Sequence, residues 1–450
     1  MSRTWSVDEH LADILARVRP LEPIELPLPE AQGCVLVEDV EVPTALPPFD
    51  NSSMDGYAVR SADIADASEE KPTVLEVTGE VAAGSGALPT VTEGTAARIM
   101  TGAALPPGAD AVVPVEWTDG GTGEGPAESM TAEEARGEVS VHRPADPGAH
   151  VRTRGSDVEP GASALTAGTV LGAPQLGLLA ALGIATVRVR PRPRVVVLST
   201  GAELVPPGEA LGPGQIHDSN SYLLTAAARA AGAIPYRVGA VPDDPEEFRS
   251  TLEDQLIRAD LVVTSGGVSV GAYDVVKDAL NDWEFEPAAS QEEDPAGEPP
   301  AAGVEFRRLA MQPGKPQGFG LIGPDRTPIL TLPGNPVSAY VSFELFVRPA
   351  LRTLSGLEPV QRPAVPARLE CAEPLGSPEG KRQYLRGSYA PPSEGADIGT
   401  VRPEGGSSSH LVAALARADA LIVLPEKVTR ARPGEEFEVL LLEESGVPSR

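Results

Sequence analysis

Five short segments of this sequence set glycine or proline among hydroxyl, amide and charged side chains at the ends of apolar runs. They are Ser199-Thr200-Gly201-Ala202-Glu203, Asp243-Asp244, Thr264-Ser265-Gly266-Gly267-Val268-Ser269 with Asp274, Gln312-Pro313-Gly314-Lys315-Pro316, and Pro333-Gly334-Asn335-Pro336-Val337-Ser338. Glycine lets a backbone approach a ligand closely, and amides and hydroxyls at helix starts suit a phosphate. The third segment has neither the lysine of a P-loop nor the spacing of a dinucleotide fingerprint, so positive charge must come from elsewhere. Glu203, Asp244 and Asp274 are hard oxygen donors, and carboxylates beside a phosphate point to magnesium, which cancels charge on a phosphoryl group under attack. Each acid also has a plainer reading. Asp244 precedes Pro245 as a helix N-cap would, Asp274 could cap its own helix, and Glu203 could simply face water. Lys315 is a cation on a loop between Gly314 and Pro316.

For these segments to meet, they must share one edge of one sheet. Residues 194–201 (RVVVLSTG), 234–241 (IPYRVGAV), 261–267 (LVVTSGG), 304–312 (VEFRRLAMQ) and 328–332 (PILTL) read as strands and turns. Between them, Ser219 or Asn220 can cap a helix through Ala231, Asp244-Pro245 starts a second, and Tyr273 to Leu280 forms a third. A fourth runs from Val337 to Leu354, and the acidic, proline-rich stretch 286–303 reads as a loop. Strands alternating with helices predict a parallel, doubly wound α/β sheet whose ligand crevice lies outside the carboxyl ends of the strands.

The rest of the chain has a different texture. A Ser6-x-x-Glu9 capping box opens an amino-terminal helix, residues 20–48 are rich in proline, and residues 172–185 read as helix. Short β-type runs at 74–77, 96–100, 111–115 and 139–142 predict a small β domain, interrupted by a polar loop at 119–138, and a second β module begins near 362. A length of 450 residues suggests about three domains. The formal charge, 36 − 65 = −29, repels polyanions and argues against a nucleic-acid partner. No apolar run is long enough to span a bilayer, and the amino terminus lacks the pattern of a signal peptide. Cys34 and Cys371 form no CxxC pair, and the five histidines show no metal-ligand spacing. The sum predicts a cytoplasmic enzyme or binding protein that has no use for a membrane.

The segments PPFDNSSMDGYAVR (47–60), RIMTGAALPPGADAVVPVE (98–116), STGAELVPPG (199–208), TSGGVSVGAYD (264–274), QPGKPQGFG (312–320) and LPGNPVSA (332–339), in this order, resemble the molybdopterin molybdenumtransferase family. That family includes the bacterial molybdate-insertion enzymes and the C-terminal domain of gephyrin. The resemblance implies an enzyme that takes adenylylated molybdopterin and molybdate as substrates, cleaves the adenylyl bond with magnesium, and releases AMP and molybdenum cofactor.

It also implies a multidomain α/β protein: an elongated helical and linker domain at 1–46 plus 156–190, a β domain at 47–155, a molybdopterin-binding doubly wound domain at 191–355, and a C-terminal β barrel at 356–450. Carried over by motif, the essential acids are Asp55, Glu203, Asp244 and Asp274, the last three also holding magnesium, with Asp157 a further acid. Thr200, Gly201, Ser265, Gly266, Gly267, Ser269, Gly334, Asn335 and Pro336 would bind the pterin substrate. Lys315, Pro316, Ser338, Arg386 and Ser409 would bind molybdate, while Gln312 stands where several members carry a lysine. A homodimer is implied, with the cleft shared between subunits. An enzyme that makes adenylylated molybdopterin, and molybdoenzyme acceptors or chaperones, are the implied partners. Two other readings stay open: an adenylyltransferase-like enzyme of similar fold, and a non-catalytic scaffold.

Overall fold

A computed structural model describes residues 3–130, 137–268, 275–281 and 303–442. Ser269, Asp274 and nearly all of the stretch 286–303 lie outside the described residues. The chain divides into two compact units, one of residues 1–25, 33–37 and 188–450, the other of residues 26–32 and 38–187.

The first unit opens with strand β1 (Thr4–Trp5) and helix α1 (Val7–Arg17). The expected capping box is present: the Ser6 hydroxyl accepts from the Glu9 amide, and the Glu9 carboxylate accepts from the Ser6 amide. Val7, His10 and Ile14 form the buried face of α1, as their spacing of three and four requires.

The second unit holds a five-stranded sheet of β2 (Gly56–Val59), β3 (Thr73–Val81), β4 (Thr95–Ile99), β5 (Ala111–Pro114) and β6 (Gly137–Val141), in the order β6-β3-β4-β2-β5. All four β-type runs of the sequence lie in it. Helix α2 (Ala173–Ala181) follows. Asp119, in the segment expected to be too polar to pack, is buried; its carboxylate accepts from the amides of Gly121, Gly123 and Ser140, which is how a polar loop residue becomes internal.

The first unit continues with β7 (Arg194–Thr200), α3 (Asn220–Ala230), β8 (Ile234–Val241), α4 (Pro245–Leu256), β9 (Leu261–Ser265), α5 (Val275–Asn281), β10 (Gly303–Leu309), β11 (Pro316–Ile322), β12 (Thr327–Leu332), α6 (Pro336–Ser342) and α7 (Arg348–Ser355). Its seven-stranded sheet has the order β1-β10-β11-β12-β9-β7-β8. Four strands, β12, β9, β7 and β8, run parallel as expected. The sheet is not parallel throughout, because β11 lies antiparallel to both β10 and β12. One hydrophobic core covers α1, α3, α6 and α7 on one face, and a second joins α4 and α5 on the other.

Two boundaries differ from the sequence reading. The strand expected over 304–312 stops at Leu309, and Met311–Gln312 pairs instead with Arg382 and Gln383. The helix expected from Val337 to Leu354 contains a π-turn at Phe343–Val347 between α6 and α7. Pro349, which has no amide hydrogen to continue an α-helical ladder, follows that turn.

Beyond α7, strands β13 (Ala364–Leu369), β14 (Arg382–Ala390), β15 (Gly399–Pro403), β16 (Ala420–Leu424) and β17 (Glu436–Leu441) pair in the order β14-β15-β13-β17-β16, and β16 returns to pair with β14. This closes a five-stranded barrel around its own core of Leu369, Leu385, Val401, Ile422 and Val439.

Candidate active site

Sheet direction brings the chemical residues to one edge. The parallel strands β8, β7, β9 and β12 end there at Val241, Thr200, Ser265 and Leu332. Because β11 is antiparallel, it begins at that edge with Pro316, and its neighbour β10 ends there beside it. The edge opens on a cleft of about 1240 Å³ within the first unit. Of the residues singled out from sequence, Thr200, Gly201, Glu203, Ser265, Gly266, Gly267, Lys315, Pro316, Gly334, Asn335, Pro336 and Ser338 line it.

The floor of the cleft is two turns held face to face. Gly266 has φ +94°, and a Cβ on it would stand 2.5 Å from the Thr200 carbonyl oxygen, so only glycine fits. The Gly266 amide donates to the Leu332 carbonyl at 3.1 Å, extending the β9–β12 ladder into the turn. Across from it, Asn220 donates from Nδ2 to the Gly334 carbonyl at 2.7 Å, tying the start of α3 to the turn before α6. The Thr200 hydroxyl is buried without a hydrogen-bond partner among the described residues. A buried hydroxyl left in that state costs free energy until something bonds to it.

The acids divide by role. Glu203 lines the cleft, exposed, and no described residue hydrogen-bonds to its carboxylate. Asp243 also lines the cleft and accepts from the Ala202 amide at 2.8 Å. Asp244 is the N-cap of α4: its Oδ1 accepts from the amides of Glu246 at 3.0 Å and Glu247 at 2.8 Å, and it is not among the cleft-lining residues. Asp55 is in the other unit, where its Oδ1 accepts from the Thr101 amide at 2.6 Å and the Thr101 hydroxyl at 2.8 Å.

At the other end of the edge, the Lys315 loop is braced rather than merely stiffened by proline. Gln317 donates to the Gly314 carbonyl at 2.7 Å and to the Ser342 hydroxyl at 2.6 Å. The Lys315 carbonyl accepts from Leu309, and its ammonium is left exposed. Gln312 pairs toward the barrel and does not line the cleft.

Arg386 is buried on β14, and its guanidinium donates to the carbonyls of Glu404, Gly406 and Ser408. Burial lowers its pKa. Arg386 therefore holds the barrel loop in place from behind and is not itself at the cleft surface. Ser409 does not line the cleft either; its carbonyl accepts from the Val337 amide at 3.1 Å, and the next residue, His410, reaches the wall.

Several wall residues escaped the sequence reading. Ser219 is the N-cap of α3, within the expected choice, but its side chain makes no capping bond; Asp218, one residue earlier, accepts from the Ser221 amide and hydroxyl and lines the cleft together with Asn220. The run Asp218-Ser219-Asn220 ahead of an apolar-periodic helix was the available signal. Lys277 and Arg308 also face the cleft, and nothing in their local sequence marks them.

Known proteins resemble this chain over its whole length. The description "MoeA N-terminal region (domain I and II)" matches residues 5–183, "Probable molybdopterin binding domain" residues 196–353, and "MoeA C-terminal region (domain IV)" residues 368–442. Molybdopterin molybdenumtransferase 2 of Mycobacterium tuberculosis is 44% identical over 96% of this chain and 98% of its own. Molybdopterin molybdenumtransferase 1 of the same organism is 39% identical over 98% and 100%. The crystal structure of the molybdopterin biosynthesis moea protein from Pyrococcus horikosii superimposes with a TM-score of 0.69 at 33% identity, covering 98% of this chain and all of that one.

Proposed function

The chain belongs to the molybdopterin molybdenumtransferase family, and from that premise we propose that its cleft is where molybdate meets adenylylated molybdopterin. It is a transferase of molybdenum cofactor biosynthesis. In this reading water cleaves the adenylyl bond and AMP leaves, while the two dithiolene sulfurs replace two molybdate oxygens, which take up protons and depart as water. The supporting observation is that glycine turns, the carboxylates of Glu203 and Asp243, and the side chains of Lys277, Arg308 and Lys315, without an ion pair among the described residues, line one cavity at the carboxyl edge of the sheet. The Gly267 amide would face a phosphate, since the Gly266 amide is held by the Leu332 carbonyl and the Val337 amide by that of Ser409, and Lys315 and Ser338 would receive molybdate. The Thr200 hydroxyl supplies a bond that only a ligand or a shift of the turn would use.

Magnesium would neutralise charge on the phosphoryl group being cleaved. Glu203 and Asp243 fit such an ion, since magnesium is commonly held by one or two carboxylates with phosphates and waters completing its shell. Among the described residues there is no group of three or more acids, histidines or cysteines that would form an all-protein cage. Asp274 lies outside those residues, and Asp244 supports the strand end by capping α4.

We further propose a cytoplasmic homodimer in which Asp55 serves the cleft of the partner subunit. Both cysteines are free, and among the described residues no helix is long and apolar enough to cross a membrane. An enzyme producing the adenylylated substrate and a molybdoenzyme or chaperone receiving the cofactor are the partners this chemistry calls for. The test is AMP release from adenylylated molybdopterin in magnesium, with and without molybdate. Release that requires molybdate is expected; release indifferent to molybdate would contradict the assignment.

A further inference from the structure

The cleft is electrically two-ended. In the strand order β10-β11-β12-β9-β7-β8, the acids Glu203 and Asp243 follow β7 and β8, whereas Lys315 precedes β11 at the opposite side. Two further cations share the Lys315 end. Arg308, next to last in β10, lies directly across from Pro316 in the β10–β11 register, and Lys277 lines the cleft from α5. Val304 and Phe306 of β10 belong to the same core as Val276, Ala279 and Leu280 of α5. Alternation therefore puts Arg308 on the α5 side of the sheet, the side that carries Lys277.

The two arginines of β10 are in opposite states. Arg307 is buried and paired with Asp13 and Glu305, each at 2.8 Å. Arg308, Lys277 and Lys315 have no ion pair or side-chain hydrogen bond among the described residues. In a chain of net charge −29, three cations without an ion pair among the described residues gather on one part of the cleft wall, where the only acid of β10, Glu305, is engaged by Arg307.

We propose that Arg308 and Lys277 join Lys315 in seating one tetrahedral oxyanion at the edge-strand end of the cleft. This rests on the functional reading above and adds two binding residues to it. The planar guanidinium of Arg308 can grip two oxygens at once, while the two ammonium groups supply charge without fixed geometry. The oxyanion is either molybdate or the phosphate of the nucleotide, and the chemistry of the seat is the same for both.

The experiment measures dissociation constants for molybdate alone and for AMP alone, on the full-length protein and on Arg308→Gln, Arg308→Lys and Lys277→Gln. Arg308→Gln should weaken one ligand about tenfold and leave the other within about twofold. Arg308→Lys should recover part of the loss, and Lys277→Gln should weaken the same ligand. A selective loss of molybdate identifies the seat as that of the metal oxyanion, in line with Lys315 receiving molybdate; a selective loss of AMP supports the three-cation seat but reassigns Lys315 from molybdate to the nucleotide phosphate. Unchanged binding of both ligands in Arg308→Gln, or equal weakening of both, overturns it. If the unmodified protein binds neither ligand, the functional reading falls as well. Binding by the unmodified protein that survives Arg308→Gln overturns the three-cation seat alone. Arg308 is exposed, so an unchanged thermal midpoint accompanies the expected result.

Discussion

At the residue scale, neighbouring acids are assigned different work by geometry that their sequence does not reveal. Asp243 and Asp244 are adjacent, yet one faces the cleft and the other caps α4. Asp243→Asn and Glu203→Gln are therefore expected to lower turnover about a hundredfold with thermal stability unchanged, as removal of charge from a phosphoryl-transfer site would. Asp244→Ala should instead cost about 1 kcal/mol of stability, the usual worth of an N-cap. Chemical denaturation beside steady-state kinetics separates the two, and a stable but dead Asp244→Ala would return that residue to the catalytic set. Arg386 makes the same point. Because it bonds three loop carbonyls, Arg386→Ala should lose about 2 kcal/mol of stability and weaken molybdate only through the displaced loop. Weaker molybdate binding at full stability would mean that Arg386 turns toward the ligand.

At the scale of elements, much of the central sheet was legible because its strands are near-continuous apolar runs closed by glycine turns, the pattern of strands buried on both faces. The β11 strand was not legible. PQGFGLI carries glycine and proline that read as punctuation, but a Cβ at Gly318 would lie 2.0 Å from the Thr331 hydroxyl of β12, so the glycine is there for close packing between strands. That missed strand carries Lys315 and Pro316 to the cleft edge, so the error in topology hid the relation between β10 and the site.

Helix α1 yields a pH prediction. His10 is buried, accepts at Nδ1 from the Arg307 guanidinium at 3.2 Å, and packs edge-on against Phe346. Burial, with the Arg307 charge adding to it, brings its pKa from 6.5 down to about 3. Below pH 6.5 the unfolded chain takes up a proton that the folded chain excludes until about pH 3, so this residue makes stability fall as pH drops through that window. At pH 5 the loss is about 2 kcal/mol relative to neutral pH. His10→Gln should remove that share of the acid sensitivity in urea titrations at pH 7 and pH 5; an undiminished difference would show that His10 is charged or uncoupled from folding.

At the scale of the whole molecule, the two units carry different parts of the proposed chemistry: Asp55 is in one and the cleft in the other. Sequence spacing cannot say whether such residues work within one chain or between two. If Asp55 serves the partner's cleft, Asp55→Asn and Glu203→Gln homodimers are both inactive, while a mixed dimer has one cleft with both carboxylates. Refolding the two variants together should then restore activity, with differential tags verifying the mixed species. Verified mixed dimers that stay inactive would confine both residues to one chain. The whole account stands most directly on the stoichiometry of a single turnover. With enzyme in excess over adenylylated molybdopterin, and with magnesium and molybdate present, AMP and molybdenum-loaded pterin should appear together in a ratio of about one to one, with neither formed when molybdate is omitted. AMP released without molybdenum entering the dithiolene would contradict the account.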